Sequence, residues 1–222
     1  MAKIIRREQG ENVQITDLGK AAPAGVLPFD ASEATRLIRQ RRSIFPEAFS
    51  GEPVSREDIE LMLENAHWAP THGRTEPWFF KVFTGEGLRR FGQAHATLYQ
   101  QHTAPENFKQ ETFDKLAQRP TECSHLIVIC MKRGENPKIP VMEEVEAVAC
   151  AVQNLHLTAT ALGLAAYWGS GGMTYHPAMR EWLGLGADDQ CLGLFMVGKP
   201  KAAWPEGKRK ADWRDKVEWN EA

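Results

Sequence analysis

Apolar residues recur along this 222-residue chain with two periods, one helical and one of strands. After a polar start of about 28 residues, FDASEATRLIRQRRS opens the first helical pattern. Asp30 and Glu33 have capping-box spacing, and Ala34, Leu37 and Ile38 form an apolar stripe. PVSREDIELMLENAHWAP predicts a second helix, with Ser55 as its cap, Ile59, Met62, Leu63 and Ala66 on one face, and Pro70 ending it. PWFFKVF (77–83), HLIVICM (125–131), LAAYW (164–168) and LGLFMVG (192–198) carry the aromatic and β-branched content of strands. Helical stretches are predicted near 86–101 and 106–118. A long core helix follows, in which Val145, Val148, Ala149, Val152, Leu155, Ala159 and Leu162 share a wide stripe that Gly163 closes. A short helix between Pro177 and Gly184 precedes the last strand.

Strands that alternate with helices and are nearly continuous in apolar residues need cover on both faces. This predicts a three-layer α/β or α+β sandwich. No repeat or low-complexity linker interrupts it, so residues 1–28 read as an N-terminal arm and 29–222 as a single domain with a C-terminal arm. Trp204, Trp213 and Trp219 stand in that otherwise polar arm, the pattern of a tail that packs against its own domain or a second subunit.

Composition narrows the functional classes. With 27 Lys plus Arg against 29 Asp plus Glu, no broad positive field points to nucleic acid or to an anionic membrane. No apolar run approaches the roughly 18 residues of a membrane span, and the start lacks the apolar core of a secretory signal. Cys123, Cys130, Cys150 and Cys191 are too widely spaced for a zinc site and read as buried free thiols of a reducing compartment, with the cytoplasm the expected location.

Common catalytic signatures are missing: the chain has no P-loop, no H-E-x-x-H and no G-x-S-x-G. GSGG (169–172) follows a strand, but Thr174 stands where a dinucleotide fingerprint needs its last glycine. Glu143, Glu144 and Glu146 suit the positive end of the long helix, and His156 reads as a satisfied core or interface histidine. What remains is a set of polar loops: RQRRS (39–43), PTHGR (70–74), WGSGG (168–172) and GKRK (207–210). Arg41 and Arg42 beside the Ser43 hydroxyl offer the forked donors that phosphate requires, and a glycine-rich turn lets backbone N–H groups approach a planar ring.

These segments, in the order RRS, APTHGRTEPWFFKV, GLAAYWGSG and HPAMREWLGLGADDQCLGLFMVGKP, resemble the nitroreductase family of FMN-dependent oxidoreductases, in particular short bacterial members with an APxHGxxxPW loop. The resemblance spans about residues 32–222. It implies an α+β sandwich around a mixed sheet, built as an intertwined homodimer with FMN at the subunit interface. Arg41, Arg42 and Ser43 would then bind the FMN phosphate and ribityl chain, Trp168, Gly169 and Ser170 would line the isoalloxazine near N5, and His72 would reach the flavin of the other subunit. Arg74 stands where many members carry Asn and would lie at the polar flavin edge, where a cation favours the reduced anion. Lys208 or Arg209 would complete the phosphate site, and residues 158–163 would contact the electron donor. The implied activity is ping-pong hydride transfer from NADH or NADPH, at flavin N5 and without catalytic side chains, to small electron-poor acceptors such as nitroaromatics or quinones. Relatives use the scaffold for flavin fragmentation, dehalogenation and enoate reduction. A flavin storage or sensor protein without turnover and a flavin-free nicotinamide dehydrogenase are the readings from other classes.

Overall fold

The computed structural model describes residues 30–221; the expected arm of residues 1–28 lies outside them. The chain divides at Thr35/Arg36, and the unit Arg36–Ala222 carries every described element beyond the first half of the first helix. Helix α1 (Ala31–Gln40) is followed by α2 (Arg56–His67), β1 (Trp78–Thr84), α3 (Glu86–His102), α4 (Gln110–Gln118), β2 (His125–Met131), α5 (Val141–Ala161), β3 (Ala165–Gly169), α6 (Pro177–Trp182) and β4 (Gln190–Gly198). Each expected helix and strand is present. Ser55 Oγ accepts the Asp58 N–H at 3.1 Å, which is the predicted cap of α2.

The four strands stand in the order β1-β2-β4-β3. Alternation along β2 and β4 sorts their side chains onto two faces. Ile127, Ile129, Met131, Phe195 and Val197 pack under α2 and α5, against Ile59, Met62, Val148, Val152 and Leu155. Leu126, Val128, Cys130, Leu194 and Met196 pack on the other side, against Leu88 and Phe91 of α3 and Met179 and Leu183 of α6. The three-layer α+β sandwich is therefore confirmed. All seven residues of β2 are buried, as a central strand covered on both sides requires.

The sheet differs from the expected mixed one: among the described residues every pairing is antiparallel. The strand order explains this, because β1 and β4 run one way and β2 and β3 the other, and no two strands of the same direction are neighbours. A bulge between Ile129 and Cys130 shifts the β2–β4 register, so that Ile129 faces Gly193 and Cys130 faces Cys191. Two expectations for α5 also change. Ala149 and Cys150 are exposed, whereas Glu144, Ala147 and Ala151 turn inward. The apolar stripe thus lies about one position round the helix from Ala149, and only Cys123, Cys130 and Cys191 are buried thiols. Among the described residues no helix is long and apolar enough to cross a membrane.

Candidate functional site

Beyond α1 the chain turns into an extended segment that runs beside β3, where the Ile44 N–H donates to the Ala166 carbonyl at 2.9 Å. This puts Arg41, Arg42 and the exposed Ser43 at the edge of the sheet, next to the strand that leads to Trp168. His156 of α5 supports the segment from below: its Nε2 meets the Arg42 carbonyl at 2.7 Å. Burial and the nearby Arg41 charge push the His156 pKa down to about 4, so the ring is neutral and donates the N–H.

The two arginines behave differently. Arg42 is satisfied by carbonyls, with Nε donating to Pro205 (2.9 Å) and Nη1 to Arg39 (2.6 Å) and Arg41 (2.8 Å). It thereby fastens the C-terminal arm, helped by Trp204 Nε1 on the Gln40 carbonyl at 2.7 Å. A Cβ on Gly207 would stand 2.4 Å from Arg42 Nη2, so the arm passes directly over this guanidinium. Arg41 instead is partly buried beside like charges: burial, then Arg209, then Arg42 lower its pKa. Of the two basic candidates in the arm, Arg209 is the one whose charge Arg41 feels. Lys208 is exposed in the same stretch, its carbonyl accepting from Arg209 Nη1 at 3.2 Å.

Trp168 and Gly169 end β3, paired with Phe195 and Leu194, and Ser170 continues into an exposed turn. The Trp168 indole lies over Gly193 of β4, where an added Cβ would stand 1.9 Å from Trp168 Nε1. The turn is anchored at its far end, because His95 Nε2 accepts the Met173 N–H at 2.8 Å and the Thr174 hydroxyl donates to the Gly171 carbonyl at 2.7 Å. His95 is buried and its pKa is pushed down to about 4, which keeps Nε2 unprotonated as that bond requires.

The third segment, around the turn His72–Arg74, sits at the other end of α5. Gly73 has φ +59°, and Ile139 Cδ1 lies 2.8 Å from where its Cβ would be, so the turn needs glycine both for conformation and for contact. Arg74 (φ 56°) and Glu76 (φ 45°) also adopt left-handed backbone, held by the Glu76 N–H on Thr71 Oγ1 at 3.3 Å. Arg74 is exposed. His72 Nδ1 lies 2.5 Å from Glu143 Oε2. Glu143 and His156 are 13 helix residues apart, which separates the His72 and Arg42 contacts by about 20 Å along α5. Within one chain, then, the Arg41–Ser43 segment, Trp168 and Arg209 share one region, whereas His72 and Arg74 stand apart from the Arg42 contact. Thr158, expected among donor contacts, is buried and bonded to Asn65 Nδ2 at 3.0 Å and the Asn154 carbonyl at 2.8 Å.

Sequence reasoning missed Gly193, Glu143 and His95. A glycine inside the apolar run CLGLF was a readable sign of close backbone approach. Nothing local distinguished Glu143 from Glu146.

The sandwich, with a cation-bearing segment laid along its edge strand, is of the nitroreductase-like class. A family model described as "Nitroreductase family" matches residues 38–199, and the chain belongs to this family. It is 30% identical over 170 residues, 76% of this chain and 89% of the other, to "Putative NAD(P)H nitroreductase YdjA" of Escherichia coli K12. It is 28% identical to a nitroreductase-like family protein from Bacillus cereus, whose crystal structure superposes with a TM-score of 0.71 over 85% of this chain and 96% of that one. The same fold is seen in the FMN-dependent nitroreductase NfnB from Mycobacterium smegmatis in complex with NADPH (18% identity, TM-score 0.65, 86% and 99% covered).

Proposed function

We propose that this protein is an FMN-dependent oxidoreductase that uses NADH or NADPH to reduce electron-poor acceptors such as nitroaromatics or quinones, working as a cytoplasmic homodimer. The observation that carries the reading is the meeting of Arg41, Arg42 and Arg209, in which burial first and then the two like charges lower the Arg41 pKa and, among the described residues, no carboxylate pairs with Arg41 or Arg209. Such a cluster suits a phosphate dianion, which relieves the repulsion and accepts charge-assisted hydrogen bonds. FMN has that phosphate, and when bound it supplies a two-electron carrier that takes hydride from the nicotinamide at N5 and passes it on in a ping-pong cycle.

The chain's own residues orient and enclose the cofactor. Arg41 and Arg209 hold the phosphate, with Ser43 beside them and Lys208 in reach of the same arm. Arg42 acts on this site by keeping the arm in place. Trp168, Gly169 and Ser170 offer an indole face and backbone groups next to the ring. His72 and Arg74 come from the partner subunit, a reading supported by the separation of about 20 Å along α5. Exposed Trp68, Met142, Trp213 and Trp219 give a second chain apolar area to cover.

Purified protein is expected to show a visible flavin spectrum, to oxidise NAD(P)H steadily with 1,4-benzoquinone, and to sediment at twice the chain mass of 25.0 kDa. Colourless protein whose melting temperature is unmoved by added FMN rejects the reading. Flavin binding without turnover assigns a storage or sensor role instead.

A further inference from the structure

Glu143 and Glu144 begin α5 side by side, and successive helix positions point about 100° apart, so one turns inward and the other outward. Glu144, 1% exposed, receives the Arg133 guanidinium and the Gly134 N–H at 3.0 Å. Arg133 also donates to the Ile139 carbonyl at 2.5 Å, and its backbone N–H to Asp189 Oδ1 at 2.9 Å. The first turn of α5 is thus tied to the chain leaving β2 and the chain entering β4. Ile139, part of this platform, is the residue against which Gly73 packs. On the outward side Glu143 Oε2 meets His72 Nδ1 at 2.5 Å, with side chains 39% and 63% exposed. Pairs this exposed contribute little to stability.

We infer that Glu143 is a positioning residue for His72: it accepts the Nδ1–H, which sets the ring's orientation and tautomer and leaves Nε2 as the atom that meets a ligand. Among the described residues Nε2 has no hydrogen-bond partner. A neutral imidazole with its proton on Nδ1 presents a lone pair at Nε2. A neutral ring held in this way recognises an N–H or O–H donor, such as the imide N–H of an isoalloxazine. The identity of that ligand rests on the flavin reading; the His72–Glu143 pair does not.

The test uses the full-length chain with Glu143→Gln, Glu143→Ala, His72→Ala and the His72→Ala/Glu143→Ala double variant. Imidazole 15N shifts recorded without flavin, in alkaline buffer that leaves a histidine ring neutral, should report the Nδ1–H tautomer in the native chain and in Glu143→Gln, and a mixture in Glu143→Ala. With FMN and NAD(P)H, and 1,4-benzoquinone as acceptor, Glu143→Ala should lower kcat about tenfold, the scale of one charge-assisted hydrogen bond. Glu143→Gln should recover most of that loss, and the double variant should be no slower than His72→Ala alone. Identical ring shifts in the native chain and Glu143→Ala, or losses that multiply in the double variant, overturn the inference. A native chain that neither binds FMN nor oxidises NAD(P)H defeats the functional reading alone, since the flavin-free ring shifts still decide the pair.

Discussion

Arg41 is partly buried beside the charges of Arg209 and Arg42, whereas Arg42 is bonded to three carbonyls, and that difference in surroundings makes the two separable by mutation. Arg41→Ala should weaken FMN binding about tenfold to a hundredfold, the loss of one or two charged hydrogen bonds, read by quenching of flavin fluorescence on titration. Arg42→Ala should instead free the arm from Pro205, so that trypsin cuts after Lys208 or Arg209 sooner than in the native chain. An Arg41→Ala protein with undiminished flavin affinity removes that residue from the site. At Gly193 the constraint is steric: φ is +155° and a Cβ would stand 1.9 Å from Trp168 Nε1. Gly193→Ala should cost about 1–3 kcal/mol of stability and shift the tryptophan emission, because the indole has to leave the strand. Unchanged emission and melting would mean that Trp168 does not rest on this glycine. The histidines show how far single residues were readable. His156 was expected to be satisfied in the core or at an interface, and it is, but its partner, the Arg42 carbonyl, is 114 positions away and carries no sequence mark.

Elements were more legible than contacts. Ser55 with Asp58, the stripe of α2, and the apolar runs of β1 to β4 are local patterns whose physics is complete within a few residues, and each forms where expected. The start of α5 shows the limit. Three glutamates there look equivalent, since all suit the positive end of a helix. Packing separates them: Glu144 is buried on Arg133, Glu143 reaches His72, and Glu146 is exposed. Glu144→Ala should destabilise the chain by about 3–5 kcal/mol in urea unfolding, because a guanidinium only 17% exposed loses its counter-charge. Replacing both partners, Arg133→Met with Glu144→Leu, should cost less than Glu144→Ala alone. Equal costs would show that solvent reaches the pair. Helix α1 makes the converse point. It has the expected apolar stripe, yet none of its residues is buried, and Ile38 is 54% exposed. A stripe announces that an element has something to bury, not what it is buried against.

For the molecule as a whole, three buried histidines, His95, His125 and His156, each with a pKa lowered by burial, weaken stability in acid. His95 and His156 titrate near 4 in the native state because burial disfavours the charged ring, while an unfolded chain takes up those protons near the ordinary value of 6.5. The unfolded state therefore binds more protons between these values, and the free energy of unfolding should fall by about 3 kcal/mol per histidine as pH drops from 6.5 to 4, levelling below. Thermal melts across that range check this, and His95→Gln should flatten the slope; a melting temperature constant from pH 6.5 to 4 rejects it. The sequence by itself determined where helices and strands lie, that they form three layers, and which loops hold the polar groups, because periodicity, capping and turn chemistry are local properties. Its loops also matched a family, and the family model and the structural likeness agree. Only the tertiary structure decided the strand order that makes every described pairing antiparallel, the seating of Trp168 on Gly193, the different surroundings of Arg41 and Arg42, and the pairing of His72 with Glu143. Those depend on which surfaces meet when layers stack. Arg42 and Pro205 become neighbours across 163 positions through two helical layers and a sheet whose relative placement no window of residues encodes.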